Sequence, residues 1–399
     1  MIRETALAGL NRRWRNWIVY GGVTIASTGT LLMLFLRTGA GLSWAAVALA
    51  IWLYQGAFVG RRLALNRRLG ETAPLGKFGP GTNATLLRGW LLACLAGFLF
   101  APRPSGLLAW APAVIYILAD VADFLDGYLA RISGRATLLG AALDMEFDAL
   151  GLLITVAIAV RYMALPVWYL PVGLARYAFM LGLWARRRAG KPIHPLPSSD
   201  SRRALAGLQM GALGIILVPA LHPPVTTLGG VLLALPLLIG FTRDWLVVSG
   251  VVDVDSESYQ RTRARIKLVL LHWLPVLLRA VVIASVVRLA NVGIPASAQV
   301  NVGSSPLGLP LGAASVAALR LVELAAGAAV GLGFAPRISA VLLLAPLLLR
   351  AAGNGDSPAL LAAVGASVVV LMVGGGAFSV WQPENQWSRR RGGEERTGE

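Results

Sequence analysis

Residues 120–150 read DVADFLDGYLARISGRATLLGAALDMEFDAL, and four aspartates give the stretch its meaning: Asp123, Asp126, Asp144 and Asp148. Asp123 and Asp126 stand three apart, Asp144 and Asp148 four apart. On α-helices both spacings put the paired carboxylates on one face. Ser133 and Gly134 mark a short turn between the two helices, which makes them antiparallel neighbours. The two acidic pairs therefore face each other near one end of a helical hairpin.

That hairpin lies in a chain built for hydrocarbon. Of 399 residues, 56% are hydrophobic and 14% charged, against roughly 25% charged in soluble domains. Mean hydropathy is +0.68. Apolar runs long enough to cross a bilayer as helices recur at 17–36, 43–60, 86–101, 107–128, 137–160, 166–185, 205–220, 226–249, 268–289, 308–333, 338–350 and 358–378. The short alternating segments of a membrane β-barrel are missing from this pattern. The expectation is an all-α polytopic membrane protein with twelve spans.

The formal net charge is +17, from 36 basic and 19 acidic residues. In a soluble protein this excess would suggest nucleic acid. Here the basic residues fall in the short connecting loops, which points to membrane orientation and no nucleic-acid partner. With the N-terminus inside and the spans alternating, the inside segments, counted with Arg88 and Arg243 at the span ends that border them, hold 28 of the 36 basic residues. Both termini and the acidic cluster are then expected on the cytoplasmic side. The single cysteine, Cys94, excludes an intrachain disulfide and a cysteine-rich zinc site. His194, His222 and His272 lack partners at metal-ligand spacing.

Four blocks follow from composition. Residues 1–80 hold two spans, 81–250 six, and 251–385 four, the last opening on the charged stretch VVDVDSESYQRTRARIK, read as a linker. Residues 386–399 read as a disordered basic tail. Arg320 and Glu323, three apart in one C-terminal span, are positioned to pair.

Carboxylates near hydrocarbon are costly and persist where cations or a polar cavity compensate them. Divalent cations such as Mg²⁺ and Mn²⁺ take oxygen ligands and accept substrate phosphates into their coordination. A pair of them neutralises a leaving phosphate and orients an attacking oxygen. Small residues Gly127, Ala130 and Gly140 flank the acids and let a ligand or helix approach, and Arg131 offers a fork of donors to phosphate. Spacing alone leaves two readings open: metal-assisted chemistry, or the cation or proton path of a transporter.

The string Asp123-x-x-Asp126-Gly127-x-x-Ala130-Arg131, eight residues, Gly140-x-x-x-Asp144-x-x-x-Asp148 resembles the full signature of the CDP-alcohol phosphatidyltransferase family. Upstream, Asn83-Ala84-Thr85-Leu86-Leu87-Arg88 resembles the start of that family's first core helix, with Thr85 one position early. The resemblance implies a six-helix core over 81–250, with two extra helices before it and four after. It implies two divalent cations, Mg²⁺ or Mn²⁺, held by Asp123, Asp126, Asp144 and Asp148, with Asp148 also the general base. Gly127, Ala130, Arg131 and Gly140 would line the CDP pocket. The donor would be CDP-diacylglycerol or a similar CDP-alcohol, the acceptor a small alcohol, and the product side CMP. Homodimers in a prokaryotic cell membrane are a further implication.

Arg176 lies inside a span, Arg202 and Arg203 just before one, and Arg88 at a helix start. Together they form a candidate pocket for a phosphorylated acceptor such as glycerol 3-phosphate or an inositol phosphate. Asp120, one turn before Asp123, is a candidate supporting group, and Glu146 points away from the Asp144/Asp148 face. Residues 321–381 loosely resemble small four-helix membrane proteins of the DoxX type.

Overall fold

The computed structural model describes residues 2–36, 39–196, 200–292, 313–354 and 357–382. Among these residues the regular structure is helical apart from one isolated bridge, Phe334 to Trp381. The helices are α1 (Ile2–Leu36), α2 (Ala40–Gly60), α3 (Pro80–Ala96), α4 (Ala111–Ile132), α5 (Leu138–Arg161), α6 (Leu170–Arg188) and α7 (Asp200–Ile216). They continue as α8 (Val225–Val248), α9 (Glu257–Leu268), α10 (Leu274–Val292), α11 (Ala313–Leu332), α12 (Pro336–Asn354) and α13 (Pro358–Val373).

Each expected span falls on a helix. Among the described residues, eight helices are long and apolar enough to cross a membrane: α1 to α4, α8, the continuous α9–α10, α11 and α12. Helices α7 and α13 are shorter apolar segments. Helices α5 and α6 carry more charge: Asp144, Glu146, Asp148 and Arg161 on one, Arg176 and Arg186 to Arg188 on the other. Large apolar side chains such as Leu34, Leu53, Ile239, Leu277 and Leu342 point outward. Such an exterior suits a protein whose solvent is lipid.

Three boundaries differ from the sequence reading. Helix α1 begins at Ile2 and carries its basic residues within the helix, ahead of the apolar run. The charged stretch read as a linker is helical from Glu257, where Arg261 pairs with Glu257 one turn back, and it runs through a π-turn at Val269–Trp273 into α10. Helix α13 stops at Val373 because Gly374 and Gly376 take positive φ angles of 96° and 72°. Residues 308–312 of one expected span and the tail at 386–399 lie outside the described residues.

The chain divides into two compact units, Met1–Met180 with Met210–Val218, and Leu181–Gln209 with Pro219–Glu399. In the first, α1 packs on α2, α2 on α3, and α3 on both α4 and α5. Helices α1 and α2 meet backbone to backbone: a Cβ on Gly41 would sit 2.3 Å from the Gly29 carbonyl oxygen. Small residues permit this approach, which in lipid supplies much of the association energy.

In the second unit, α10 to α13 interlock and α13 also packs on α8. Val282, Val330, Leu343, Leu347, Ala363 and Val370 form its sealed core. Three charges are buried there and all are compensated. Arg279 on α10 donates to the carbonyls of Val330, Gly331, Gly375 and Ala377 at 2.8–3.2 Å, closing the end of α11 and the loop after α13. Glu323 on α11 does not pair with Arg320, which is exposed; it accepts from Nε of Arg350 on α12 at 2.9 Å. An inward-facing acid on a packed helix finds its cation on the next helix, and Arg320 lies on another face.

Breaking one side of such a pair leaves an uncompensated buried charge, at a cost of about 3–5 kcal/mol, whereas replacing both with apolar groups is close to neutral. Arg350→Met and Glu323→Leu are each expected to destabilise the protein by that order. The double variant is expected to recover most of the loss. Unfolding titrations in mixed micelles measure the cycle, and additive losses would contradict the pairing.

Candidate metal centre

Helix α3 brings the non-acidic half of the site. Pro80 occupies its first turn, where a missing N–H costs nothing. Gly81 then lets α3 touch α4: a Cβ there would lie 2.7 Å from the Asp126 carbonyl oxygen and 2.9 Å from Cβ of Ala130. The turn between α4 and α5 uses Gly134 at φ 60°. Thr137 caps α5, accepting from the Gly140 backbone N–H at 3.0 Å. Asp144 follows one turn after Gly140, on the face turned to α4.

Carboxylate oxygens of Asp123, Asp126 and Asp144 lie within 4.8 Å of one another. Asp148 stands beside this trio and joins it through Arg88. The Arg88 guanidinium, 2% exposed, places Nη1 2.5 Å from Asp123 and 3.6 Å from Asp144, and Nη2 2.6 Å from Asp148. Thr85, one turn before Arg88, donates its hydroxyl to Asp126 Oδ2 at 2.8 Å. Helix α3 therefore addresses all four acids with two side chains.

Charge remains unbalanced. Four carboxylates share one buried guanidinium, and the Thr85 hydroxyl brings no net charge. An all-oxygen donor set gathered this closely fits a hard divalent cation. Asp123, Asp126 and Asp144 are the residues that would hold it. Cation and substrate phosphates together are chemically suited to such a site.

The other expected site residues separate into groups. Gly127, Ala130 and Arg131 lie on α4 beyond Asp126, and Gly140 on α5 lies close to Thr82 and Thr137. The nearest side chain to the open side of Gly127 is the Arg131 guanidinium, whose residue is exposed. Arg88 is buried among the acids. Arg176 is half-buried on α6 and makes no hydrogen bond or ion pair with the described residues. The side chains of Arg202 and Arg203 lie outside the described residues.

Glu146 turns away from the acidic face, as its position on α5 implies. It accepts from the hydroxyl of Tyr54 on α2 at 2.5 Å and of Tyr177 on α6 at 3.4 Å. The sequence reading gave no role to Gly81, Tyr54 or Tyr177, and used Thr85 only as a motif position. Gly81 and Thr85 carried a signal, one turn apart at the start of a span. Tyr54 and Tyr177 carried none, because pairing across helices distant in sequence leaves no local pattern.

Residues 81–249 match the CDP-alcohol phosphatidyltransferase family. A CDP-diacylglycerol–glycerol-3-phosphate 3-phosphatidyltransferase of Cereibacter sphaeroides is 38% identical over 89 residues, 22% of this chain and 39% of that protein. A "Putative cardiolipin synthase" of Mycobacterium bovis is 29% identical over 107 residues, 26% of this chain and 50% of that protein. The protein of the same description from Mycobacterium tuberculosis matches to the same extent. The chain thus spans half or less of the length of these curated relatives. No solved structure matches.

Thr85→Val removes the hydroxyl that orients Asp126 while keeping the side-chain shape. Losing such a supporting bond typically weakens metal affinity about 10–100-fold. That loss is expected for Mn²⁺ measured by electron paramagnetic resonance titration, with Thr85→Ser retaining affinity. Unchanged binding in Thr85→Val would show that the bond does not orient a ligand.

Proposed function

We propose that this protein transfers a phosphatidyl group from a CDP-alcohol, CDP-diacylglycerol, to a phosphorylated alcohol acceptor, releasing CMP. The observation that carries the reading is the meeting of Asp123, Asp126 and Asp144 within 4.8 Å in the segment that matches the family. Two divalent cations, Mg²⁺ or Mn²⁺, would be held by these three and Asp148. When bound, such ions neutralise the diphosphate and its leaving group.

The chain's own residues do the rest. Asp148 has one oxygen fixed by Arg88 Nη2 at 2.6 Å, and its other oxygen makes no hydrogen bond with the described residues. It is the proposed base that takes the proton from the acceptor hydroxyl. The acceptor oxygen forms a bond to the phosphorus that carries the lipid alcohol. The bond from that phosphorus to the bridging oxygen breaks, and CMP leaves with the electron pair. Arg88 keeps Asp123 and Asp148 in register across α4 and α5, so it would reach an acceptor phosphate only by releasing a carboxylate. Gly127, Ala130, Arg131 and Gly140 are the proposed walls of the nucleotide pocket.

The acceptor phosphate is assigned to Arg176 of α6. The half-buried, unbonded Arg176 supports a phosphorylated acceptor, because a guanidinium in a span needs an anion. Similarity to the Cereibacter sphaeroides CDP-diacylglycerol–glycerol-3-phosphate 3-phosphatidyltransferase supports glycerol 3-phosphate over an inositol phosphate. The excess of basic residues in alternate loops supports a site opening to the cytoplasm.

Purified protein is expected to release CMP from CDP-diacylglycerol with Mg²⁺ or Mn²⁺ and to stop in a chelator. Glycerol 3-phosphate is expected to serve far better than glycerol. Asp148→Asn is expected to lower kcat by about 10²–10⁴-fold, the usual worth of a positioned base, with CDP-diacylglycerol binding retained. Equal loss of turnover and binding would make Asp148 chiefly a ligand. No CMP release with any acceptor would overturn the reading.

A further inference from the structure

Helices α1 and α2 lie outside the segment that matches the family, yet with α3 they line an open groove of about 510 Å³. That size falls within the range of about 300–1,000 Å³ common to ligand sites. Its polar end gathers Arg13 and Asn16 of α1 and Asn83 of α3. None of these three side chains has a hydrogen-bond or ion-pair partner among the described residues. Its apolar walls are aromatic, led by Trp17, Trp52 and Trp90.

The walls are fixed. Trp52 lies against Gly21, where a Cβ would fall 2.1 Å from the ring, and its Nε1 donates to the Ile18 carbonyl at 3.0 Å. Trp17 and Trp52 rings sit 4.1 Å apart, centroid to centroid. Trp90 Nε1 donates to Thr24 Oγ1 at 3.1 Å, tying α1 to α3 along the same groove. The indole N–H groups of Trp52 and Trp90 are thus spent on the protein; Trp52 is buried behind Trp17, and the partly exposed rings of Trp17 and Trp90 offer apolar surface to an occupant.

We propose that this groove is a site for an anionic phospholipid of the surrounding bilayer, separate from the metal centre. The cation and two amides would hold its phosphate, and the aromatic walls one acyl chain. Charge selects the occupant. No acid lines the groove, and Arg12 and Arg15 flank Arg13 on exposed positions of α1. A second copy packed face to face would bring these arginines together, whereas an anionic headgroup neutralises them. The site goes beyond the proposed reaction. Asn83 and Trp90 lie on a different face of α3 from Thr85 and Arg88, so the groove and the centre share a helix without sharing a pocket.

The test is native mass spectrometry of the full chain after exchange into equal phosphatidylglycerol and phosphatidylcholine. It is run in an Asp123→Asn/Asp144→Asn background, so that lipid retained through the metal centre does not count. Retention of one phosphatidylglycerol in preference to phosphatidylcholine is expected. Arg13→Gln is expected to cut the preference about fivefold, the worth of one basic residue at an anionic surface. Leu87→Trp, which adds bulk to the wall from an exposed position, is expected to displace the lipid with the helical content unchanged. Equal retention of the two lipids, or retention unaffected by either variant, would overturn the proposal. So would a switch from dimer to monomer in Leu87→Trp with no lipid lost, which would assign the groove to a second copy.

Discussion

Four carboxylates brought together by two neighbouring helices cannot stay charged in a lipid-embedded fold without positive charge among them. Two unit charges 4 Å apart interact by about 4 kcal/mol even at an effective dielectric constant of 20. Arg88 answers part of this demand from the centre of the cluster, in contact with Asp123, Asp144 and Asp148. Its position in turn requires α3 to lie within touching distance of α4, which Gly81 permits. The demand Arg88 leaves unmet is the reason the site suits divalent cations. Packing and chemistry here have one electrostatic cause.

The same helix relates the site to the N-terminal extension. One face of α3 carries Thr85 and Arg88 toward the acids, and another meets α2. Helix α2 also reaches α5 directly, where Tyr54 holds Glu146. Glu146 lies between Asp144 and Asp148 in sequence but on the opposite side of the helix. A hydrogen bond there fixes the rotation of α5 about its axis, and so the direction in which both aspartates point. The two N-terminal helices are therefore structural neighbours of the site, although they lie outside the segment matched by the family.

Much of this was legible in the sequence. The aspartate spacings gave the shared faces, Gly134 the turn, and the apolar runs the helices, because each depends on a local period or a local backbone requirement. What was not legible depends on partners distant in the chain. Arg88 reads as a basic residue at a helix start, free to meet a phosphate, until α3 is seen against α4 and α5. Arg320 and Glu323 satisfy a helical spacing rule, yet the tertiary partner Arg350 takes the acid. Residues 257–268 read as a linker because they are charged, but charge does not prevent a helix when Glu257 and Arg261 pair one turn apart. A polar helix and a polar linker share a composition and differ only in pattern.

The C-terminal helices show what an intramembrane charge means when it is not part of chemistry. An ionisable residue in a span is a functional candidate by default. Arg279 and the Arg350–Glu323 pair are nonetheless buried, with Arg279 spent on five backbone carbonyls and Arg350 on Glu323. The acids of α4 and α5 differ in kind. Asp123, Asp144 and Asp148 are each about a third to a half exposed at the side chain, and a single cation serves all three. Exposure together with excess charge separates a site able to take cations and phosphates from a buried pair that only fixes helices. By that measure the chemistry of the described residues is concentrated on α3, α4 and α5.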